Sequence, residues 1–477
     1  MVVNVEQEAL ISMLQTAPNS SMLYSALGNL LEKENPKQAF LCYQNAKFYA
    51  QTEAEKQGYQ QHLDRLAALG HKVPPVSFII LNYNKKEITN DCLRSIRQFN
   101  APETYELVVV DNNSTDGSKA WLKTQPDVVL VDNHTNRGFA GGCNDGIKQA
   151  NPQNDIFLLN NDTIMMPNAL FTLRMNLYED KKTGAVGCMT NFAANGQAIS
   201  SSQSPKDLAG YLKLAATINV PNPRSHELKT YLVGFAELIR RDVLEKVGFL
   251  DEQFNPGNYE DNDLGYRILK AGYNNILCHD CLIVHLGSQS FSGNPAKEEA
   301  YKKLLLTNLN KINTKYQFDI ERYTSSKPKW LDFILFKPKT PLNILFLGCK
   351  AGAFVDKLNY LYPNSTFDLY ESNPQMAALV SPNFHVHVAN YDHLKLNHAP
   401  ESLDLVILDE CLAQCSDSQK LLAQLTPLLK RDGMFFAVIK KDTLQLDVLK
   451  DEFKANNLLI VKEQNFPDED LFTLQKA

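Results

Sequence analysis

The chain has 477 residues, too many for one ordinary core, so two to four domains are expected. Apolar residues make up 44% and charged residues 21%, which is typical of a globular protein and excludes a disordered one. The net charge of −6 comes from 48 basic and 54 acidic residues. It gives no general attraction to nucleic acid or to an anionic membrane, although a local basic patch would be compatible with it.

The N-terminus and the cysteines predict a cellular compartment. Met1–Glu6 lacks the basic and apolar regions of a signal peptide, and no apolar run is long enough to span a bilayer. Nine scattered cysteines in a long chain indicate a reduced cytoplasmic protein, with peripheral membrane association as an alternative. Cys278–Cys281 could suggest zinc, but it has no second ligand pair at finger-like spacing, so we interpret this run as a strand.

Residues 1–72 are predicted to be a small helical region. Leu27-Gly28 before the turn Asn35-Pro36, and Ala39 and Tyr43 after it, resemble one tetratricopeptide repeat; a plain helical hairpin is the alternative. One repeat buries too little apolar surface to be stable alone. We therefore expect it to pack on the next domain or on a partner.

From Val76 the pattern changes to alternating strands and helices. Helices are predicted around Ile88–Phe99 and near Asn144–Gln149. Four apolar runs, each followed by a polar cluster, are predicted strands: Val76–Leu81, Leu107–Val110, Val128–Val131 and Ile156–Leu159. Repeated β–α units predict a mainly parallel sheet covered on both faces, with ligands at the carboxyl ends of the strands.

The polar clusters carry four motifs in a fixed order. They are Asn82-Tyr83-Asn84, Asp111–Gly117, Asn136–Ala140 and Asn160-Asn161-Asp162. Together they resemble the nucleotide-sugar half of a family 2 glycosyltransferase of the GT-A fold, close to the rhamnosyltransferase-like members. The resemblance implies a GT-A catalytic domain over residues 73–320.

The resemblance also implies a site for a nucleotide-diphosphate sugar, linked to UDP or dTDP. Asp111 would accept from the base or from a ribose hydroxyl, and Arg137 with the glycine-rich turn after it would approach phosphate oxygens. The donor-binding residues implied in this way are Asn82, Tyr83, Glu87, Asp111, Asn136, Arg137, Gly138, Asn160 and Asn161.

A divalent metal, Mg²⁺ or Mn²⁺, is implied at Asp162. The family usually has Asp-x-Asp at this place, and here Asn160 replaces the first acid. One carboxylate should bind the metal more weakly than two. His285 matches the histidine that often completes this site, although a strand-end histidine without a metal role is the alternative reading.

The acidic run Glu260-Asp261-Asn262-Asp263 matches the segment that carries the catalytic base in the family. Alone, this run would be read as the start of a helix, where the helix dipole stabilises acidic side chains. Inverting transfer needs one carboxylate to take the proton of the acceptor hydroxyl. We assign Asp261 as the base, with Glu260 as the alternative. The acceptor would be a saccharide, a lipid-linked glycan or a protein.

After a linker at 321–340, residues 341–477 repeat a strand–helix pattern. They resemble a class I S-adenosylmethionine-dependent methyltransferase: Gly348 and Gly352 match turn glycines, and Glu371 matches the acid that binds the ribose hydroxyls. Two departures matter, because Phe346 stands where an acid is usual and Lys350 where a glycine is usual. We expect methyl transfer to be lost, leaving a domain for self-association or for docking a protein partner.

The main hypothesis is therefore a metal-assisted inverting glycosyltransferase. A second hypothesis adds methylation by the C-terminal domain, using S-adenosylmethionine as a further cofactor. A third is a non-catalytic scaffold, and the intact set Asp111, Arg137, Asp162, Asp261 and His285 counts against it.

Overall fold

A computed structural model describes residues 5–199, 207–287, 295–325 and 327–477, with side chains masked at 295–297. The chain divides into two compact units, residues 1–312 and residues 313–477. Among the described residues, no helix is both long and apolar enough to cross a bilayer.

The first unit combines helices with an eight-stranded sheet and a two-stranded sheet. Its helices are α1 (Val5–Thr16), α2 (Ser21–Leu31), α3 (Pro36–Tyr49), α4 (Glu53–Ala68), α5 (Lys86–Phe99), α6 (Ser118–Leu122), α7 (Gly138–Gln149), α8 (Ala169–Leu177), α9 (Leu208–Ile218), α10 (Arg241–Val247), α11 (Glu260–Lys270) and α12 (Pro295–Tyr316). Its strands are β1 (Val76–Asn82), β2 (Tyr105–Asn112), β3 (Val128–Asn133), β4 (Asp155–Asn160), β5 (Thr163–Ile164), β6 (Thr183–Met189), β7 (His226–Lys229), β8 (Ala236–Ile239), β9 (Asn274–Leu282) and β10 (Val284–His285).

The N-terminal helices pack on α8. The Gln38 side chain donates to the Met175 carbonyl at 2.9 Å, and Phe171 and Met175 share a buried cluster with the helical segment. Between α2 and α3, a Cβ at Gly28 would lie 3.1 Å from the Tyr43 ring, so glycine allows these helices to approach closely. The tetratricopeptide assignment itself stays a prediction.

The large sheet of this unit has the strand order β3-β2-β1-β4-β8-β6-β9-β7. Its first four strands are parallel, and β8 runs antiparallel between β4 and β6. Asn82 is in register with Asp111, and Leu81 is in register with Asn160. The polar strand ends predicted from the sequence therefore meet at one edge.

Helix α7 begins six residues before its predicted start, because the glycine-rich segment is helical. A Cβ at Gly142 would lie 2.4 Å from a Leu81 methyl group, and one at Gly146 would lie 2.7 Å from Ile79. These glycines let α7 lie close to β1. Expecting the whole glycine-rich run to be a turn was therefore wrong.

The segment 195–223 is polar at both ends, with serines near its start and two prolines near its end, but it is not all loop. Part of this segment is α9, whose Tyr211 and Ala215 are fully buried in the main core. Their spacing of four residues places both on one helix face. Residues 200–206 lie outside the described residues.

The second unit has its own seven-stranded sheet, with the strands β11 (Asn343–Leu347), β12 (Thr366–Glu371), β13 (Val386–Val388), β14 (Leu403–Asp409), β15 (Leu429–Lys440), β16 (Leu458–Asn465) and β17 (Glu469–Lys476). Their order in the sheet is β13-β12-β11-β14-β15-β17-β16. Its helices are α13 (Ile320–Thr324), α14 (Ala353–Leu361), α15 (Pro374–Ala377), α16 (Ser418–Leu425) and α17 (Leu446–Ala455). The chain thus has a helical N-terminal region and two α/β sheets, which confirms the predicted fold class.

The close packing of α7 on β1 gives a stability prediction. Gly142→Ala should lower the melting temperature, because the new methyl group overlaps Leu81 and overpacking costs about 1–3 kcal/mol. Gly58→Ala on α4 is the matched control, since nothing lies within 4 Å of its added Cβ. The control should be neutral or slightly stabilising. Equal melting temperatures for both variants would contradict the packing argument.

Candidate functional site

The Asp162 carboxylate faces a histidine across the small β5–β10 sheet. His285 pairs with Thr163, and the Leu286 amide donates to the Asp162 carbonyl at 2.9 Å. The Asp162 Oδ1 and His285 Nε2 atoms are 3.2 Å apart, and the two side chains are only 18% and 13% exposed. The structure thus brings together the two predicted metal ligands.

His285 is held in one orientation by residues that the sequence analysis missed. The Asn191 side chain both donates to and accepts from the His285 backbone at 2.8 Å. The His285 Nδ1 atom lies 3.0 Å from the Phe192 carbonyl, which can only accept, so Nδ1 carries a proton. An asparagine just after β6 was the available signal, but nothing in the sequence links it to His285.

This arrangement leaves the His285 Nε2 atom directed at Asp162. In neutral imidazole, Nε2 would be an acceptor facing a carboxylate oxygen, so a proton or a metal cation is needed between them. Burial opposes the charged form, but the hydrogen bond and the charge of Asp162, together with the hydrogen bond to the Phe192 carbonyl, outweigh burial and raise the pKa of His285. Two ligand atoms that require a cation between them fit a divalent metal.

Phe235 and its neighbour Gly234 connect this pair to the acidic run. The Phe235 ring stacks on His285 with centroids 5.0 Å apart, and its carbonyl accepts from the Asn160 amide at 2.8 Å. The Gly234 amide donates to the Asp261 Oδ2 atom at 3.1 Å. One dipeptide therefore contacts the strand before Asp162, the imidazole and the predicted base.

The two candidate bases differ in access. Glu260 is only 6% exposed and its Oε2 atom has no partner within the described protein, whereas Asp261 is half-buried. Burial and the Asp261 charge raise the pKa of Glu260 to about 8. Burial also raises the pKa of Asp261, against hydrogen bonds from the amides of Gly234 and Asn262. Access to solvent favours Asp261 as the group that meets an acceptor.

Glu237 is a buried acid near this pair that the sequence analysis overlooked. It is fully buried on β8, and neither carboxylate oxygen has a hydrogen-bond partner among the described residues. Burial and the Asp261 charge raise its pKa well above the usual range, with Arg267 opposing them. These surroundings favour the protonated form of the Glu237 carboxyl group, which adds no negative charge beside Asp261. An acid within the apolar run Phe235–Ile239 was the signal available.

Asp111 and Asn82 form a rigid pair at the ends of β2 and β1. The Asn82 side chain is fully buried and donates to Asp111 and to Ser114, at 2.9 and 3.0 Å. Asp111 also accepts from the Ser114 amide at 3.0 Å. The Asn82 side chain thus fixes the orientation of the Asp111 carboxylate. Tyr83 is 52% exposed beside them, and Glu87 lies exposed on the first turn of α5.

Arg137 is engaged by two carboxylates. Its guanidinium contacts Asp145 at 2.7 Å and Glu252 at 3.2 Å. A phosphate would have to share or replace these partners, so the guanidinium is less available than the sequence suggested. Its neighbour Asn136 accepts from the Gly138 amide at 2.9 Å and thereby shapes the start of α7.

The remaining donor-side residues line the same edge. The Asn161 side chain donates to the Thr89 hydroxyl at 2.9 Å, and Asn160 ends β4. Gly138 has a φ of +71°, and a Cβ there would lie 2.6 Å from the Asn255 side chain. Glycine is therefore required at Gly138 both by its backbone and by the loop that covers it.

That loop, residues 254–259, joins the two sides of the site. The Phe139 amide on α7 donates to the Pro256 carbonyl at 2.9 Å, and the loop ends at Tyr259, directly before α11. The buried Asn308 side chain of α12 donates to the Phe254 and Gly257 carbonyls at 2.7 and 3.0 Å. Helix α12 thus supports the segment that positions Glu260 and Asp261.

In the C-terminal unit, the three predicted cofactor residues lie together at the ends of β11 and β12. Gly348 and Gly352 have φ values of +82° and +86°, and Glu371 is 1% exposed. A Cβ at Gly348 would lie 2.2 Å from the Asp409 carbonyl, so this turn admits only glycine there.

Residues 77–248 match the family model described as glycosyl transferase family 2. They form a family 2 glycosyltransferase domain. Residues 345–437 match the model of a methyltransferase domain. Both resemblances inferred from motifs are confirmed for these segments. Asp261 and His285 lie beyond the first match, so their roles stay predictions.

The curated relatives are glycan-building enzymes by name. A poly-beta-1,6-N-acetyl-D-glucosamine synthase of Staphylococcus epidermidis is 26% identical over 183 residues, which cover 38% of this chain and 43% of that protein. The low-salt glycan biosynthesis hexosyltransferase Agl10 of Haloferax volcanii is 24% identical over 218 residues, covering 44% of this chain and 66% of that protein. The chain thus spans less than half the length of the first relative.

Among solved structures, the mannosyltransferase PcManGT from Pyrobaculum calidifontis, in complex with GDP-Man and Mn²⁺, is 20% identical. The similarity covers 53% of this chain and 70% of that one, with a TM-score of 0.34. An S-adenosylmethionine-dependent methyltransferase from Mesorhizobium loti is 13% identical over 31% of this chain and 96% of that one, with a TM-score of 0.27.

The buried Glu237 gives a pH-dependent stability prediction. The folded protein keeps Glu237 protonated, whereas the unfolded chain ionises it above about pH 4.3, so Glu237 lowers stability increasingly as the pH rises. Glu237→Gln should therefore raise the melting temperature relative to wild type more at about pH 8 than at about pH 5. The gain should grow by about 1.4 kcal/mol per pH unit until the folded group ionises.

Glu245→Gln is the control for this measurement, because Glu245 lies exposed on α10. Its melting temperature should follow that of wild type at both pH values. A Glu237→Gln difference that is the same at both values would show that Glu237 is ionised in the folded protein.

Proposed function

We propose that the first unit is an inverting glycosyltransferase that moves a sugar from a nucleotide-diphosphate donor to a hydroxyl acceptor. The observation that carries this proposal is the Gly234–Phe235 dipeptide. It holds Asp261 through its amide and His285 through its ring, at the sheet edge where Asp111 is the penultimate residue of β2. Donor, metal and base functions can therefore serve one reaction centre.

In this reaction, the acceptor oxygen attacks the anomeric carbon as the bond from that carbon to the diphosphate oxygen breaks. The acceptor proton moves to the Asp261 carboxylate, and the bonding electron pair leaves with the nucleoside diphosphate. Attack from the face opposite the leaving group inverts the anomeric carbon. Asp261 suits this role because it is accessible and because its raised pKa makes it a better proton acceptor than an ordinary aspartate.

Asp162 and His285 would hold a divalent cation, which supplies charge that stabilises the departing diphosphate. In the described parts of the chain, no group of three or more His, Cys, Asp or Glu side chains is arranged to hold a metal. Two protein ligands suit a cation whose other ligands are phosphate oxygens and water. Asn160 adds no charge there, so His285 carries more of the binding than it would beside two acids.

The donor is proposed to be a UDP- or dTDP-linked sugar, and GDP-linked sugars are included in the test. Asp111 is buried and accepts from Asn82 and the Ser114 amide, so a base N–H or a ribose hydroxyl would have to share these contacts, whereas the exposed Tyr83 ring offers a face on which a base could stack. The relatives' names support a hexosyl donor and a glycan acceptor. Lipid-linked glycans and proteins are the alternative acceptors.

The base assignment is tested with two isosteric variants. Asp261→Asn should lower the rate of sugar transfer or donor hydrolysis by roughly 10²–10⁴-fold, because it removes the proton acceptor. Glu260→Gln should lower the rate by less than about tenfold, because Glu260 is buried and protonated near neutral pH. The donor used is the UDP-, dTDP- or GDP-sugar that raises the melting temperature most with Mn²⁺ present.

A larger loss of rate in Glu260→Gln than in Asp261→Asn would assign the catalytic base to Glu260. Equal and nearly wild-type rates for both variants would overturn the proposed reaction, provided that both proteins melt at the wild-type temperature.

The metal assignment predicts opposite effects at two positions. His285→Ala should raise the Mn²⁺ concentration needed for half-maximal activity by roughly tenfold or more, because it removes one of two protein ligands. Asn160→Asp should lower that concentration by a similar factor, because it adds a second carboxylate. His279→Ala is the control, because His279 on β9 has a carboxylate partner other than Asp162. Its Nε2 atom lies 2.7 Å from the Glu227 Oε2 atom. An unchanged Mn²⁺ dependence in His285→Ala would remove His285 from the site.

A further inference from the structure

The turn after β11 in the C-terminal domain carries a lysine in a left-handed conformation. Lys350 has a φ of +53°, in the region that favours glycine, and it is only 7% exposed. The turn lies tightly against β14, because a Cβ at Gly348 would be only 2.2 Å from the Asp409 carbonyl, so the turn cannot move closer to that strand. The long Lys350 side chain is therefore kept inside the cleft at the strand ends.

The Lys350 ammonium group lies among acids. Its Nζ atom is 3.7 Å from Glu410 Oε2, and the charges of Asp409, Glu371 and Glu410 all act on it. It also lies 5.4 Å from the centre of the Tyr323 ring. The lysine thus supplies the positive charge that a group of buried carboxylates needs.

The Glu371 carboxylate, which was expected to bind the ribose hydroxyls, accepts hydrogen bonds from backbone amides of the adjacent turns. Its Oε2 atom accepts from the Lys350 amide at 2.8 Å, and its Oε1 atom accepts from the Asn373 amide at 2.8 Å. The carboxylate is 1% exposed. Glu371 therefore holds the lysine turn and the start of α15.

Helix α13 adds further side chains to the cleft. The Arg322 guanidinium donates twice to the Glu410 Oε1 atom, from Nη2 and from Nε at 3.0 Å, and the Tyr323 hydroxyl donates to Oε2 at 3.3 Å. Trp330 donates to Glu469 at 2.7 Å on the wall of the cleft. The cavity left between these residues is about 20 Å³, room for about one water molecule.

These residues do not fit S-adenosylmethionine, a cationic ligand of many atoms. An ammonium group already neutralises the acids, the carboxylate expected to bind the ribose accepts from backbone amides of its own turns, and the space left beside Lys350 has room for about one water molecule. We propose that Lys350 fills the cofactor cleft of the methyltransferase domain with an internal cation, so that the wild-type chain excludes S-adenosylmethionine and Lys350→Gly admits it. This inference does not depend on the proposed glycosyl transfer.

The test is calorimetric titration of the full chain with S-adenosylmethionine and with S-adenosylhomocysteine. Wild type should give no binding heat, and Lys350→Gly should bind S-adenosylmethionine at least tenfold more tightly than wild type. Lys339→Gly is the matched control, because Lys339 is also a lysine at positive φ, +68°, but is exposed and does not line the cleft. It should bind no better than wild type.

A second variant protects the test from loss of folding. Lys350→Gly combined with Glu410→Gln removes one charge of each sign, so it keeps the charge balance of the cleft. Tight binding by wild type, or no binding by either Lys350 variant at an unchanged melting temperature, would overturn the proposal. If wild type binds S-adenosylhomocysteine but not S-adenosylmethionine, Lys350 excludes the cofactor by charge and not by volume. That result would overturn the proposal that the Lys350 side chain fills the cleft.

Discussion

The contacts of Gly234 and Phe235 are the constraint on which the site of the first unit depends. Asn160, Asp261 and His285 come from widely separated parts of the chain, and each is tied to this dipeptide by a hydrogen bond or a ring stack. The dipeptide directly precedes β8, which runs antiparallel between β4 and β6. The placement of that strand therefore fixes the distance between the predicted base and the predicted metal ligands.

The buried acids near this dipeptide show how the fold sets their chemistry. Glu237 and Glu260 lie where water cannot stabilise a charge, whereas Asp261 keeps access to solvent and accepts two backbone hydrogen bonds. A low-dielectric surrounding favours neutral forms of the first two. Negative charge can then concentrate on the one carboxylate that an acceptor can reach, without repulsion from two neighbouring charges.

The two sheets of the chain have polar residues at similar strand ends, but the contacts of these residues differ. Both end parallel strands in polar residues beside a turn with glycines at positive φ. In the first, the polar groups near Asp111 orient one another and leave Tyr83 exposed beside them. In the second, a single non-glycine residue, Lys350, turns inward and neutralises the acids.

The sequence predicted strands and strand-end motifs well, because apolar runs and the polar residues after them are local signals. It misplaced the start of α7, since glycines that permit close helix–sheet packing look the same as glycines in a turn. It could not reveal that Asn191 and Phe192 hold His285, or that Asp145 and Glu252 engage Arg137, because these contacts join distant segments. Whether an acid such as Glu237 is neutral depends on burial, which no local pattern encodes.

The hydrogen bonds from Asn308 set a limit on how the molecule can be divided. The family match ends at residue 248, yet the loop before α11 is held by an asparagine on α12, sixty residues further on. A fragment that ends with the family match would lose Asp261 and His285. A fragment that ends before α12 would keep both residues but would lose the hydrogen bonds from Asn308 to the loop before α11. A piece that preserves this architecture must therefore include Asn308 and α12, which ends at Tyr316.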